Sequence, residues 1–207
     1  MATVIFDFDG TIADSFDVIV DIFGSITGKR EKVSDEEMAE LRGQSLQAVA
    51  KHIGIPMWKI PFLLTRGRHM MGRRMDQIPV FEGIGKVIEQ LHAEGHELMI
   101  VSSNSKRNVR KFLKQHHLYK YFTEVRGNAG LLGKSRILRR VVKSNNFKMK
   151  DCIYIGDETR DVLAAKAVGM RVIAVTWGFA SASFLESMHP TALAHERPDI
   201  IRILEEL

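Results

Sequence analysis

The chain has 207 residues, 45% of them hydrophobic, enough to bury one sizeable core together with a small insertion. No apolar run reaches the about 18 residues that a membrane-spanning helix needs, and the N-terminal stretch lacks the basic region and small-residue cleavage site of a signal peptide. Cys152, the single cysteine, lies in the apolar run Cys152-Ile153-Tyr154-Ile155 and reads as a buried small side chain, so a cytoplasmic protein without membrane attachment is expected.

The net charge of +5 suits anionic partners and identifies none. The excess gathers in two stretches that lack acidic residues. One, 51–75, contains Lys51, Lys59, Arg66, Arg68, Arg73 and Arg74; the other, 102–123, contains Lys106, Arg107, Arg110, Lys111, Lys114 and Lys120. Neither belongs to a recognisable nucleic-acid module, so no nucleic-acid partner is expected.

In chain order, Val4-Ile5-Phe6 reads as a buried parallel strand that runs into Asp7-Phe8-Asp9-Gly10-Thr11. The segment 15–79 is helix-like throughout. Phe16, Ile19, Val20 and Phe23 recur at helical spacing, Ser34-Asp35-Glu36-Glu37 resembles a capped start, and Leu46, Val49, Ala50 and Ile53 repeat the period. A further helix is expected from Phe62 to Met71. From Phe81 onward strands and helices alternate: strands over 97–101, 122–125, 152–155 and 171–175, helices over 83–93, 106–117, 134–143, 159–168 and from 198 onward. Such alternation predicts an α/β fold, a Rossmann-like parallel sheet flanked by helices, with the all-α segment inserted after the first strand.

Ligands of open parallel sheets sit beyond the carboxyl ends of the strands. There the pattern places Asp7 and Asp9, then Ser102 with Ser103, then Asp157 with Asp161 one turn further, while Lys134 opens a helix. Four carboxylates with one lysine cannot all stay charged at close range, because two like charges about 4 Å apart repel by roughly 4 kcal/mol at an effective dielectric near 20. Such a cluster either takes up protons or holds a cation. Oxygen ligands scattered along the chain favour Mg²⁺, which also accepts phosphate oxygens, over Ca²⁺ in a single loop.

Gly133-Lys134-Ser135 invites a P-loop reading, but the glycine that motif requires five residues earlier is Asn128 here. Taken together, Asp7-Phe8-Asp9-Gly10-Thr11, Ser102 after Met99-Ile100-Val101, Lys134, and Gly156-Asp157-Glu158-Thr159-Arg160-Asp161 resemble the four motifs of the haloacid dehalogenase superfamily. Val175-Thr176-Trp177-Gly178-Phe179 and the size of the insertion resemble its phosphoglycolate phosphatase-like members.

The resemblance implies a core domain of 1–14 and 80–207 and a helical cap of 15–79. It implies Asp7 as nucleophile and Asp9 as acid and base. Mg²⁺ would be held by the Asp7 side chain, the Asp9 backbone carbonyl and Asp157, with Asp161 in the outer shell. Ser102, Ser103 and Lys134 would hold the phosphate. Arg42, in Arg42-Gly43-Gln44-Ser45, is the candidate cap contact.

The implied activity is hydrolysis of a small phosphorylated metabolite by a monomer or homodimer. A β-phosphoglucomutase-like phosphomutase shares every one of these core residues, and a non-catalytic phospho-ligand-binding protein is the reading from another class. A dehalogenase would need neither Asp9 nor a metal. A phosphonate hydrolase would need a cap lysine, for which Lys51 and Lys59 lack supporting context.

Overall fold

A computed structural model of the chain describes residues 1–28, 60–130 and 133–207. Six strands form one wholly parallel sheet: β1 (Thr3–Phe6), β2 (Glu97–Val101), β3 (Glu124–Arg126), β4 (Cys152–Gly156), β5 (Arg171–Val175) and β6 (Ala192–Ala194), in the spatial order β3-β2-β1-β4-β5-β6. β1 therefore sits at the centre between β2 and β4. The chain builds outward on one side as far as β3, then crosses over to the other. This is the point at which α/β sheets open a crevice for ligands.

Period-two alternation sends each strand's side chains to opposite faces. Phe6, Leu98, Ile100, Ile153 and Ile155 join one core; Ile5, Met99, Val101, Tyr154 and Val172 join the other. The first core is closed by α3 (Ile84–Ala93), α4 (Lys106–Gln115) and α8 (Asp199–Glu206), whose Val87, Leu91, Phe112 and Ile203 are buried. The second is closed by α5 (Lys134–Ser144), α6 (Thr159–Lys166) and the short α7 (Ala182–Ser187), through Leu138, Val162 and Leu185.

Among the described residues between β1 and α3 are the helices α1 (Phe16–Thr27) and α2 (Ile60–Arg73). Val18, Ile22 and Met71 from these helices join the first core. The expected helix starts near 34 and across 46–53, and Arg42, Lys51 and Lys59, lie outside the described residues.

The main departures from the sequence pattern are local. β3 forms at Glu124–Arg126 rather than 122–125, because Phe122 turns into the first core instead of pairing. β6 is unexpected. Ala192-Leu193-Ala194 lacks the β-branched and aromatic residues that mark strands, and only pairing with β5 keeps it extended.

Candidate active site

The site grows from the end of β1. The Asp7 N–H donates to the Ile155 carbonyl at 2.7 Å, carrying strand pairing one residue further and fixing where its carboxylate emerges. The chain then reverses at once: the Ile12 and Ala13 N–H groups both donate to the Phe8 carbonyl at 3.0 Å, and Gly10 takes a φ of 80° that favours glycine. Phe8 anchors the turn edge-on against Phe112, at 5.0 Å between ring centres. The two aspartates therefore leave the strand end toward different surroundings.

Asp7 faces the second half of the chain. Lys134 Nζ, from the first residue of α5, lies 3.1 Å from Asp7 Oδ1 and also pairs with Asp161. The other Asp161 oxygen accepts the Glu158 N–H at 3.0 Å, tying the first turn of α6 to its own start. Lys134 rests over Tyr154, 5.4 Å from the ring centre, and the Tyr154 hydroxyl donates to the Val101 carbonyl at 3.0 Å. Asp157 accepts from the Thr11 hydroxyl and from the Phe179 N–H, both at 2.8 Å. A Cβ on Gly10 would lie 2.6 Å from Asp157 Cγ, and one on Gly178 would lie 2.5 Å from the same atom, so this carboxylate needs both side chains to be missing. Trp177 closes the flank by donating from its indole N–H to the Thr11 carbonyl at 3.2 Å.

One carboxylate oxygen from each of Asp7, Asp157 and Asp161 lies within 4.8 Å of the others, all three residues being buried. Their charge exceeds what Lys134 can offset. Burial pushes Asp7 above the ordinary carboxylate range, with Lys134 pulling it back, and burial followed by the neighbouring Glu158 and Asp161 charges pushes Asp157 well up. Lys134 is raised, because the Asp161 and Asp7 charges outweigh its own burial. Asp7 Oδ1 is buried and, apart from this ion pair, makes no hydrogen bond among the described residues. Clustered, buried, oxygen-only and under-neutralised, this donor set fits a hard divalent cation.

Asp9 turns the other way. Its oxygens accept from the Ser15 hydroxyl at 3.0 Å and from Asn104 Nδ2 at 3.0 and 3.2 Å. Asn104 Nδ2 also lies 3.3 Å from the Met71 sulfur of α2. Burial pushes the Asp9 carboxyl up to about 6, against the downward pull of Asn104 and then Ser15. Ser102 is fully buried and its hydroxyl accepts the Asn104 N–H at 2.9 Å. The helix-capping role that a serine here could have had belongs instead to Ser105, which accepts the Asn108 N–H at 3.1 Å. Ser103 is half-buried beside it.

The structure thus brings Asp7, Asp9, Ser102, Lys134, Asp157 and Asp161 to one sheet edge. Asp161 is fully buried on Lys134. Pattern reading passed over Asn104, Ser15 and Arg160. Asn104 had a signal, since it ends the polar triplet that follows β2; Ser15 and Arg160 had none, because turn and rotamer geometry decide where they point.

The family model described as haloacid dehalogenase-like hydrolase matches residues 4–175. A phosphoglycolate phosphatase of Synechococcus elongatus is 32% identical over 209 residues, spanning 100% of this chain and 99% of its own. A pyrophosphatase PpaX of Bacillus cereus is 21% identical over 99% of this chain and 97% of its own. Among solved structures, a predicted phosphatase from Clostridium acetobutylicum superposes with a TM-score of 0.85 over 100% of both chains at 24% identity, a likeness that speaks to the fold alone. The chain belongs to the haloacid dehalogenase-like hydrolase family, and within it to the phosphatases.

Proposed function

We propose that the protein hydrolyses the phosphate monoester of a small metabolite, in the manner of a phosphoglycolate phosphatase, by way of an aspartyl-phosphate on Asp7. The observation that carries this reading is the buried Asp7–Asp157–Asp161 cluster with Lys134 across it. The named relatives, all hydrolases, support it over a phosphomutase. Residues 15–79 are assigned to a cap over this site, and the single buried cysteine and the small-metabolite substrate suit the cytoplasm.

Asp7 attacks phosphorus in line; its oxygen–phosphorus bond forms as the bond to the leaving alkoxide breaks. Burial raises the Asp9 carboxyl to about 6, so its protonated fraction is far larger than that of an ordinary carboxyl, and that form passes its proton to the alkoxide. It then takes a proton from the water that attacks the aspartyl-phosphate, which frees phosphate and Asp7. Asn104 and Ser15 aim this carboxyl. Lys134 and Ser102 hold phosphate oxygens, and positioning supplies most of the catalysis in this chemistry. Asp7, the Asp9 backbone carbonyl and Asp157 would hold Mg²⁺, with Asp161 behind them, and its charge would offset the repulsion between nucleophile and phosphoryl group.

The test is phosphate release from p-nitrophenyl phosphate and phosphoglycolate, with and without Mg²⁺, for wild type and Asp7→Asn. Metal-dependent turnover that vanishes in the variant is expected. Equal turnover by both proteins would remove Asp7 from its role.

A further inference from the structure

α4 turns an apolar face to the first core, and one polar residue interrupts it. Asn108 is buried along with Val109, Phe112 and Leu113, and burying an amide costs free energy unless it is hydrogen-bonded. Its Nδ2 meets acceptors from two directions: it donates to the Arg68 carbonyl of α2 at 2.8 Å and to Asn104 Oδ1 at 2.9 Å. A Cβ on Gly72, one turn further along α2, would lie 2.7 Å from Asn108 Oδ1. The helix lies this close to the amide because that side chain is missing.

The orientation of the two amides is forced. Asn104 turns its Nδ2 to both Asp9 oxygens, which leaves its Oδ1 to accept from the Ser105 N–H at 2.8 Å and from Asn108. Asn104 Oδ1 and the Arg68 carbonyl are both acceptors, so only the amide nitrogen of Asn108 satisfies them. The direction matters for the chemistry. With Nδ2 forward, Asn104 shows Asp9 donors alone and offers no lone pair to the acid proton, which is left for the leaving oxygen. Turned over, Asn104 would present Oδ1 to Asp9 and hold the proton that the alkoxide needs. The Ser105 N–H is one lock against that turn. Asn108 is another, and it alone of the two also holds α2.

We propose that Asn108 is a positioning residue for the proton transfer: it keeps the Asn104 amide with its donors toward Asp9, and it ties that orientation to the seat of α2. The proposal rests on the phosphatase reading above. Asn108 acts at one remove, through Asn104 and then Asp9, whose proton goes to the leaving oxygen as the bond from that oxygen to phosphorus breaks. A leaving group that departs without a proton escapes this control.

The experiment compares kcat/KM on p-nitrophenyl phosphate, phenyl phosphate and phosphoglycolate at saturating Mg²⁺, for wild type, Asn108→Asp, Asn108→Ala and Gly72→Ala. p-Nitrophenolate leaves without a proton, whereas the other two leaving groups need one. Asn108→Asp sets acceptors against Asn104 Oδ1 and the Arg68 carbonyl, which turns Asn104 over. It should lose about 10- to 100-fold on phosphoglycolate, a share of the about 10²- to 10⁴-fold that a general acid supplies. On p-nitrophenyl phosphate the loss should stay below about threefold, with phenyl phosphate between. Asn108→Ala keeps the Ser105 lock and should lose less on phosphoglycolate. Gly72→Ala pushes the Asn108 amide from α2 without altering either asparagine, and alanine favours a helix over glycine, so it should show the same order of losses at smaller size. Equal losses on all three substrates, or none on any, would overturn the proposal and leave the phosphatase reading standing. Should Asn108→Asp fail to fold, Gly72→Ala decides by the same criterion. A wild type that hydrolyses p-nitrophenyl phosphate alone would overturn the proposal too, since no acid would be at work. Failure of wild type to hydrolyse any of the three would sink both.

Discussion

Asp157 and Asp199 occupy matching stations in the fold. Each follows the carboxyl end of a sheet strand at the approach to a helix, and each accepts backbone N–H groups: Asp157 from Phe179, Asp199 from His195 and Glu196 at 2.9 Å. Their proton affinities nevertheless move in opposite directions. The Glu196 N–H holds Asp199 below the ordinary carboxylate value, and Arg202 adds to this at 3.1 Å. Burial drives Asp157 well above it. Asp199 keeps 22% of its side chain in water and Asp157 keeps none. The same hydrogen bonds stabilise a charge that solvent already supports and fail to rescue one that solvent has left. A carboxylate retained at the second kind of place destabilises the fold, and its use lies in what it binds.

The sharpest way to break the comparison is to remove the lysine inside the cluster. Lys134→Met leaves Asp7 and Asp161 without their ion partner, and breaking such a buried pair costs about 3–5 kcal/mol. Urea unfolding in metal-free buffer should show that loss, and addition of Mg²⁺ should recover a larger share of stability than it adds to wild type. Arg202→Ala, which removes an exposed partner of Asp199, should cost less than about 1 kcal/mol in the same assay.

The pH dependence of the two kinds of aspartate follows with opposite signs. Asp9 and Asp157 carry folded-state pKa values above their unfolded ones, so between about pH 4 and those values the folded protein holds the extra protons. Their contribution to stability is present below that window and is lost as pH rises through it. Metal-free melting temperatures should record this, and the Mg²⁺-induced increase should be larger at pH 8 than at pH 5.5, where protons compete. An increase of the same size at both values would contradict cation binding at the cluster. Asp199 runs the other way: its stabilisation holds above the unfolded carboxylate value and disappears as pH falls through the lowered one.

A smaller effect separates the two aspartates at the end of β1. Asn104→Ala removes the larger of the hydrogen bonds that pull Asp9 down. The Asp9 carboxyl then keeps its proton to higher pH. Since an acid works below its pKa, the alkaline limb of the kcat/KM profile should shift upward by about half to one unit. An unmoved limb would show that Asp9 is not the group titrating there.

How much of this was legible in the sequence depends on what each residue answers to. Asp7, Asp157 and Lys134 could be placed together because strand period and parallel topology alone decide which chain segments end at one edge. Ser15 and Arg160 answer to the course of a loop and to rotamers settled by neighbours from distant elements, so spacing carried no trace of their contacts, whereas Asn104 stood in view at the end of the polar triplet after β2 with only its partner hidden. β6 was hidden for a third reason: the pairing offered by β5 overrides the weak strand preference of Ala192 and Ala194.

The slot that Gly10 and Gly178 leave around Asp157 also has a meaning in the order of synthesis. A ribosome delivers Asp7 and Gly10 first, whereas the glycine and the Phe179 amide that complete the slot come near the end. A chain stopped before residue 178 possesses Asp7, Asp9 and Lys134, yet lacks the wall and the donor that hold Asp157 in register. The surroundings of Asp157 are thus complete only once the chain has passed Phe179.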